Sequence, residues 1–154
     1  MSTAHPPAAP RTGHVGLNVT DLDRSTSFYE QVLGLQVQDR GDEPGRRFAF
    51  LGHDGALLVT LWEQSDGRFD PARPGLHHLS FQVESIEEVR AVEATLVGLS
   101  APFAYDGVVP HGEGARSGGV FFHDPDGTRL EVYAPSGADP GNAPTAGAPT
   151  CGFF

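Results

Sequence analysis

The chain repeats itself. Displaced by 64 residues, HVGLNVTDLDRSTSFYEQVLGL (14–35) lies on HLSFQVESIEEVRAVEATLVGL (78–99) without a gap. His14 falls on His78, Val19 on Val83, Asp23 on Glu87, and Gly34-Leu35 on Gly98-Leu99. After a longer loop, DGALLVTLW (54–62) lies on DGTRLEVYA (126–134), which sets Val59 opposite Glu131. Self-similarity of this kind means that one supersecondary unit is used twice. With 154 residues available, the two units must share one core or form two very small modules.

Each unit reads as a strand, a helix and several further strands, an α+β arrangement of paired modules. The opening strands, 14–19 and 78–83, alternate apolar and polar residues with period two. Ser85 followed three residues later by Glu88 is a capping box. Gly34 and Gly98 stand where a C-terminal glycine stops a helix. The remaining strands are expected at about 46–52, 56–63, 103–105, 118–123 and 128–134, with Asp124–Gly127 as the turn between the last two. Module one then covers 12–63 and module two 74–135, within a folded region of 12–135. The Pro- and Ala-rich residues 1–11 and the residues 136–154, apolar-poor until the last two, read as flexible tails; the alternative for the second is that Phe153-Phe154 dock on a neighbouring surface.

Strand parity sorts the chemistry. Val15, Leu17 and Val19 share one face; His14, Gly16 and Asn18 share the other. In the second copy Leu79, Phe81 and Val83 oppose His78, Ser80 and Gln82. The apolar faces belong under the helices, so each polar face contributes one histidine to a concavity, and His77 falls on the helix side or at the strand start. On the last strand Leu130 and Val132 oppose Arg129, Glu131 and Tyr133. A carboxylate in such a strand is costly to bury unless it is paired or bound to a cation. Two imidazoles and one carboxylate on one face form a facial metal site with open positions. His14, His78 and Glu131 are therefore the candidate ligands of one divalent ion, Fe2+, Mn2+, Zn2+ or Ni2+.

Val59 and Leu61 (with Leu57), Phe50, Trp62 and Phe122 (or Phe121) are the expected apolar and aromatic wall of that cavity. Asn18, Ser80, Gln82 and Tyr133 are its polar lining. The glycine-rich stretch 105–119 has the length of a lid. It carries Tyr105 and His111 as candidate catalytic groups beside Glu131, and Arg116 as a grip for a substrate carboxylate.

Acidic residues number 20 against 10 basic ones, for a net charge of −10, which speaks against a nucleic-acid partner. Every basic residue is Arg, so chemistry through a lysine Schiff base is excluded. No apolar run approaches a membrane span. The N-terminus lacks the apolar core of a signal peptide, and the lone Cys151 allows no internal disulfide. A cytoplasmic protein without a membrane partner is the expectation.

GHVGLNVTDLDRSTSFYEQVLGL, GLHHLSFQV and FFHDPDGTRLEVYAP together resemble the vicinal oxygen chelate superfamily over about residues 12–135. That group includes glyoxalase I, extradiol dioxygenases, fosfomycin resistance enzymes and bleomycin-binding proteins. The resemblance implies paired βαβββ modules forming a half-barrel cup around a divalent metal, with His14, His78 and Glu131 as ligands. Glyoxalase I adds a fourth ligand at the place where the repeat alignment sets Val59. Three ligands instead resemble the extradiol dioxygenases. The implied function is a metal-dependent enzyme that chelates a small, apolar or aromatic, oxygen-bearing substrate, with dioxygenase-like or glyoxalase/lyase-like chemistry. The alternative is a protein that sequesters an antibiotic or natural product in the same cleft. Members of this group commonly dimerise, so a homodimer is expected, with modules of different chains able to share a site.

Overall fold

The computed structural model describes residues 8–154. Of the expected N-terminal tail, residues 1–7 lie outside the described residues, and 8–14 carry no helix or strand. Module one runs β1 (Val15–Val19), α1 (Leu22–Leu33), β2 (Gln36–Gly41), β3 (Phe48–His53) and β4 (Ala56–Glu63). Module two runs β5 (Leu79–Gln82), α2 (Ile86–Gly98), β6 (Val109–Pro110), β7 (Gly118–His123) and β8 (Arg129–Ala134). The sheet orders are the same, β1-β4-β3-β2 and β5-β8-β7-β6, and the two sheets do not merge into a closed barrel. In each, the first strand lies parallel to the last, and the other pairings are antiparallel. The repeat in the sequence is thus a repeat of βαβββ units. No helix among the described residues is long and apolar enough to cross a membrane.

Local signals explain the helix boundaries. Asp21 caps α1 by accepting from the Arg24 amide at 3.0 Å. Gly34 ends it in the left-handed region at φ 65°, its N–H bonded to the Glu30 carbonyl. Ser85 and Glu88 form the expected capping box of α2. The stop of α2 differs from the expectation: the helix runs through Gly98, and Ser100 takes the left-handed position at φ 53°. The amide of Ala101 then reaches back to the Leu96 carbonyl at 3.0 Å.

Two strands depart from the sequence reading. β2 was not expected, because residues 36–39 are exposed on both faces and carry no apolar alternation. It is recognisable only by its pairing with β3. The expected strand at 103–105 shrinks to one bridge, Phe103 to Phe122, and the outer strand is the two-residue β6.

One continuous core joins the modules. Leu17, Val19, Leu22, Tyr29, Leu51, Val59 and Leu61 of module one pack with Ile86, Val89, Leu96, Val120, Phe122, Leu130 and Val132 of module two. At the seam the Phe28 and Phe122 rings lie 6.3 Å apart. The Tyr29 hydroxyl donates to Asp124 Oδ2 at 2.8 Å. Arg24 pairs with Asp126 at 2.9 Å, and the Thr20 amide donates to the same carboxylate at 3.1 Å. Asp124 also organises the β7–β8 turn, accepting from the amides of Asp126 and Thr128 at 2.9 Å each. The turn that aims β8 is therefore fastened to α1.

Residues 136–154 fold back on module two. The Ala138 amide donates to the Arg116 carbonyl at 3.0 Å, and Gly114 N–H donates to the Pro140 carbonyl at 3.1 Å. A short 3-10 turn at Thr150–Gly152 follows. The segment read from composition as a flexible tail is thus held here by backbone groups, by Ala138 in the core, by Thr150 and by the Phe154 ring.

Candidate metal centre and cup

Pairing registers fix which side chains share a face. Ser80 of β5 stands beside Glu131 of β8, and Gln82 beside Tyr133. Phe121 of β7 stands on the other side of Glu131, and Gly119 beside Tyr133. Leu130 and Val132 point into the core. Glu131 is only 2% exposed. A carboxylate buried this far needs compensation, and two imidazoles face it. His111 Nε2 contacts Glu131 Oε1. His78 Nε2 lies 3.6 Å from Oε2, beyond a hydrogen bond.

Each histidine is held from behind. His111 Nδ1 lies 2.8 Å from Ser117 Oγ, and its ring packs on Tyr133 at 4.8 Å. In the neutral ring, Nε2–H donates to the carboxylate and Nδ1 accepts from the Ser117 hydroxyl. His78 Nδ1 lies 2.8 Å from His77 Nδ1, so at most one of the two carries a proton there. Burial holds the His78 imidazole below its ordinary value. The Glu131 charge opposes that, and His77 and Arg129 add to it. A neutral imidazole beside a buried carboxylate has the ionisation state that a divalent ion requires.

Of the two places expected for His77, the helix side and the strand start, it takes the second. Both histidines precede β5, where strand alternation does not yet apply, and their rings lie 5.1 Å apart. Tyr105 is also engaged elsewhere. Its hydroxyl donates to the Thr150 carbonyl at 2.8 Å, and burial raises its phenol above the usual range. Tyr133 donates to Gln82 Oε1 at 2.8 Å. Arg116 is exposed.

Module one presents a different face from the one expected. Val59 pairs with Val15 and Leu61 with Leu17, and both are fully buried in the shared core. They form no cavity wall. The cause is a one-residue irregularity: Gly52 pairs with Leu57 but Leu51 pairs with Val59, so Leu58 is an extra residue in β4. A slip of one residue exchanges the faces of a strand. The residue paired with Gly16, as Glu131 is with Ser80, is Thr60. The outer face therefore carries Thr60, Trp62, Phe48 and Phe50. Trp62 Nε1 donates to Thr60 Oγ1 at 2.9 Å, and the Phe48 and Phe50 rings lie 5.5 and 5.8 Å from the Trp62 ring. Phe50 and Trp62 lie on this face, with Asn18 exposed beside Trp62.

Phe122 is likewise core, packed on Phe28. Phe121 is the residue on the cup side, against Tyr105 at 5.4 Å and His111 at 6.3 Å. Its identity was undecidable from FF alone, because the phase of β7 is set by its register with β8. Sequence reasoning also missed Ser117 and Phe48, whose parts rest on contacts across the fold.

His78, Glu131 and His111 are brought together; His14 is not among them. It lies exposed before β1. Among the described residues no group of three His, Cys, Asp or Glu side chains is placed to hold an ion by itself.

Two open βαβββ units, the shared registers and the half-buried histidines beside Glu131 define a recognisable class. The family model described as Glyoxalase/Bleomycin resistance protein/Dioxygenase superfamily matches residues 11–132, and the chain belongs to that superfamily. The chain is 31% identical over 125 residues to a catechol-2,3-dioxygenase of Bacillus subtilis. That match covers 79% of this chain but only 40% of the relative. A glyoxylase/bleomycin resistance protein/dioxygenase domain from Frankia superposes with a TM-score of 0.69 at 30% identity, covering 82% of this chain and 98% of that one. The fosfomycin resistance protein FosX of Listeria monocytogenes, complexed with Mn(II) and sulfate, shares the fold. Its TM-score is 0.61 at 20% identity, covering 82% of this chain and 93% of FosX.

Proposed function

We propose that this protein is a metal-dependent enzyme that chelates a small, apolar or aromatic substrate through two neighbouring oxygens. The observation that carries the reading is the burial of Glu131 on the cup face, with His78 held neutral opposite it. The donor set suits a divalent ion. His78 and Glu131 would hold such an ion, an imidazole nitrogen and a buried carboxylate being donors that divalent metals take. The site then needs donors from elsewhere. His14, just before β1 of module one, is exposed. In the proposed homodimer, His14 of a second copy completes the set.

An ion held there supplies Lewis acidity toward the two substrate oxygens. The chain's own groups do the rest. His111 holds a proton at Nε2, adjacent to the reacting positions, and Ser117 fixes its tautomer. Phe121, Tyr133 and the Phe48-Phe50-Trp62 cluster of the opposing module exclude water and take the apolar body of the substrate. Dioxygenase-like and glyoxalase/lyase-like reactions both fit this arrangement. A role in sequestering an aromatic natural product would use the same surfaces without an ion.

Metal analysis separates the two. Protein purified without chelator is expected to carry close to one divalent ion per chain. Glu131→Gln and His78→Ala should lose most of it, and His77→Ala should retain it. A metal-free protein that binds an aromatic drug tightly would establish sequestration instead.

A further inference from the structure

Residues 149–154 lie across the cup of module two. Thr150 is fully buried and anchors the segment through three bonds. Its hydroxyl donates to the Pro110 carbonyl at 2.6 Å, its amide to the His111 carbonyl at 2.8 Å, and its carbonyl accepts from Tyr105. The turn that follows brings the Phe154 ring into a slot. Phe121 lies 5.0 Å away edge-on, His78 5.7 Å and Tyr105 6.1 Å. The Arg129 guanidinium carbon sits 5.6 Å from the ring centroid, within cation–π range. Neighbouring Phe153 is 68% exposed. Two adjacent phenylalanines are thus treated differently, Phe154 half-buried in the slot and Phe153 exposed.

We propose that this slot is the ring-binding subsite of the cup and that Phe154 is its built-in occupant. An aromatic ligand then binds only by displacing the segment 149–154. The slot touches His78, whose Nε2 faces Glu131, so a ring seated there presents substituents to the candidate metal centre. Arg129 favours an electron-rich, neutral or anionic ring, such as a phenol, over a cationic one. The anchor at Thr150 consists of a few hydrogen bonds of modest net worth, which suits release. If about nine molecules in ten hold the segment docked, the apparent affinity for a competing ring falls about tenfold. The inference rests on reading the sheet face around Glu131 as the ligand cup, and it requires no bound metal.

The test uses 4-fluorophenol and fluorine NMR on the chelator-treated chain, so failure of the metal reading leaves it intact. Phe154→Ala, a partly exposed position, should bind the probe about tenfold more tightly than the unaltered chain. Thr150→Val, which removes the hydroxyl anchor, should move affinity in the same direction. Arg129→Gln placed on Phe154→Ala should weaken binding again, which locates the probe in the slot. In the unaltered chain, saturating probe should raise the backbone mobility of Cys151, Gly152 and Phe153. Equal affinity in the unaltered and Phe154→Ala chains would overturn the proposal. So would undiminished binding in the Phe154→Ala/Arg129→Gln chain, or a segment whose mobility the probe leaves unchanged.

Discussion

Tyr29→Phe removes one oxygen from the seam between the modules. Tyr29 and Asp124 are both buried, and the lost bond is the one to Asp124 Oδ2 at 2.8 Å. The other carboxylate oxygen keeps the amides of Asp126 and Thr128, so the substitution orphans one buried acceptor and leaves packing intact. Hydrogen bonds to charged groups contribute about 1.5–3 kcal/mol, so we expect a loss of about 2 kcal/mol at neutral pH. For a domain of this size that lowers Tm by about 4–8 °C. The cost depends on pH. Burial raises the Asp124 carboxyl above its ordinary value, and the Tyr29 hydroxyl is the largest influence pulling it back. Without that hydroxyl the folded-state value climbs further. A group raised in the folded state contributes stability that is present below the unfolded value and lost as pH rises through the folded value. The variant's deficit should therefore be small near about pH 4 and complete near about pH 7. Urea titrations followed by circular dichroism at both pH values measure it. An equal loss at the two pH values, or a neutral-pH loss below about 0.5 kcal/mol, would refute the role given to this bond.

The register of β4 predicts that Val59→Glu fails as a fourth metal ligand. Its side chain enters the shared core, and holding the acid neutral at pH 7 alone costs about 4 kcal/mol, read as a fall in the guanidinium midpoint. A β-carbon at Gly119 would meet the Val132 carbonyl oxygen at 1.9 Å and Tyr133 Cα at 2.6 Å. Gly119→Ala should therefore cost about 2–4 kcal/mol and disturb Glu131 on the adjoining strand, seen as lowered metal content.

The repeat made most of the fold legible. His14 over His78 located both first strands, and Ser85-Glu88 and Gly34 marked helix ends by local chemistry. Leu130-Glu131-Val132 declared its face, because β8 pairs regularly with its neighbours. The same reasoning misplaced Val59 and Leu61, because the extra residue Leu58 leaves no trace in composition and the gapless alignment of DGALLVTLW hides it. Gln36–Gly41 lacked alternation because an exposed edge strand buries neither face. The docking of residues 149–154 was legible only as the alternative that the terminal Phe153-Phe154 pair meets a neighbouring surface, without saying which ring docks or where. It depends on Thr150 meeting Pro110, 40 positions away, and on one phenylalanine fitting a slot assembled from three strands and loops.

In the proposed homodimer, His78 and Glu131 of one chain share an ion with His14 of the other. Mixing His14→Ala chains with Glu131→Gln chains tests it most directly. Each variant alone should be nearly metal-free. After unfolding and joint refolding, symmetric pairing of equal amounts should rebuild about one intact site in four, counted as metal-loaded heterodimer by native mass spectrometry. Heterodimers that form and remain metal-free would contradict the shared site, and a monomeric protein that binds metal through His14 would contradict it equally.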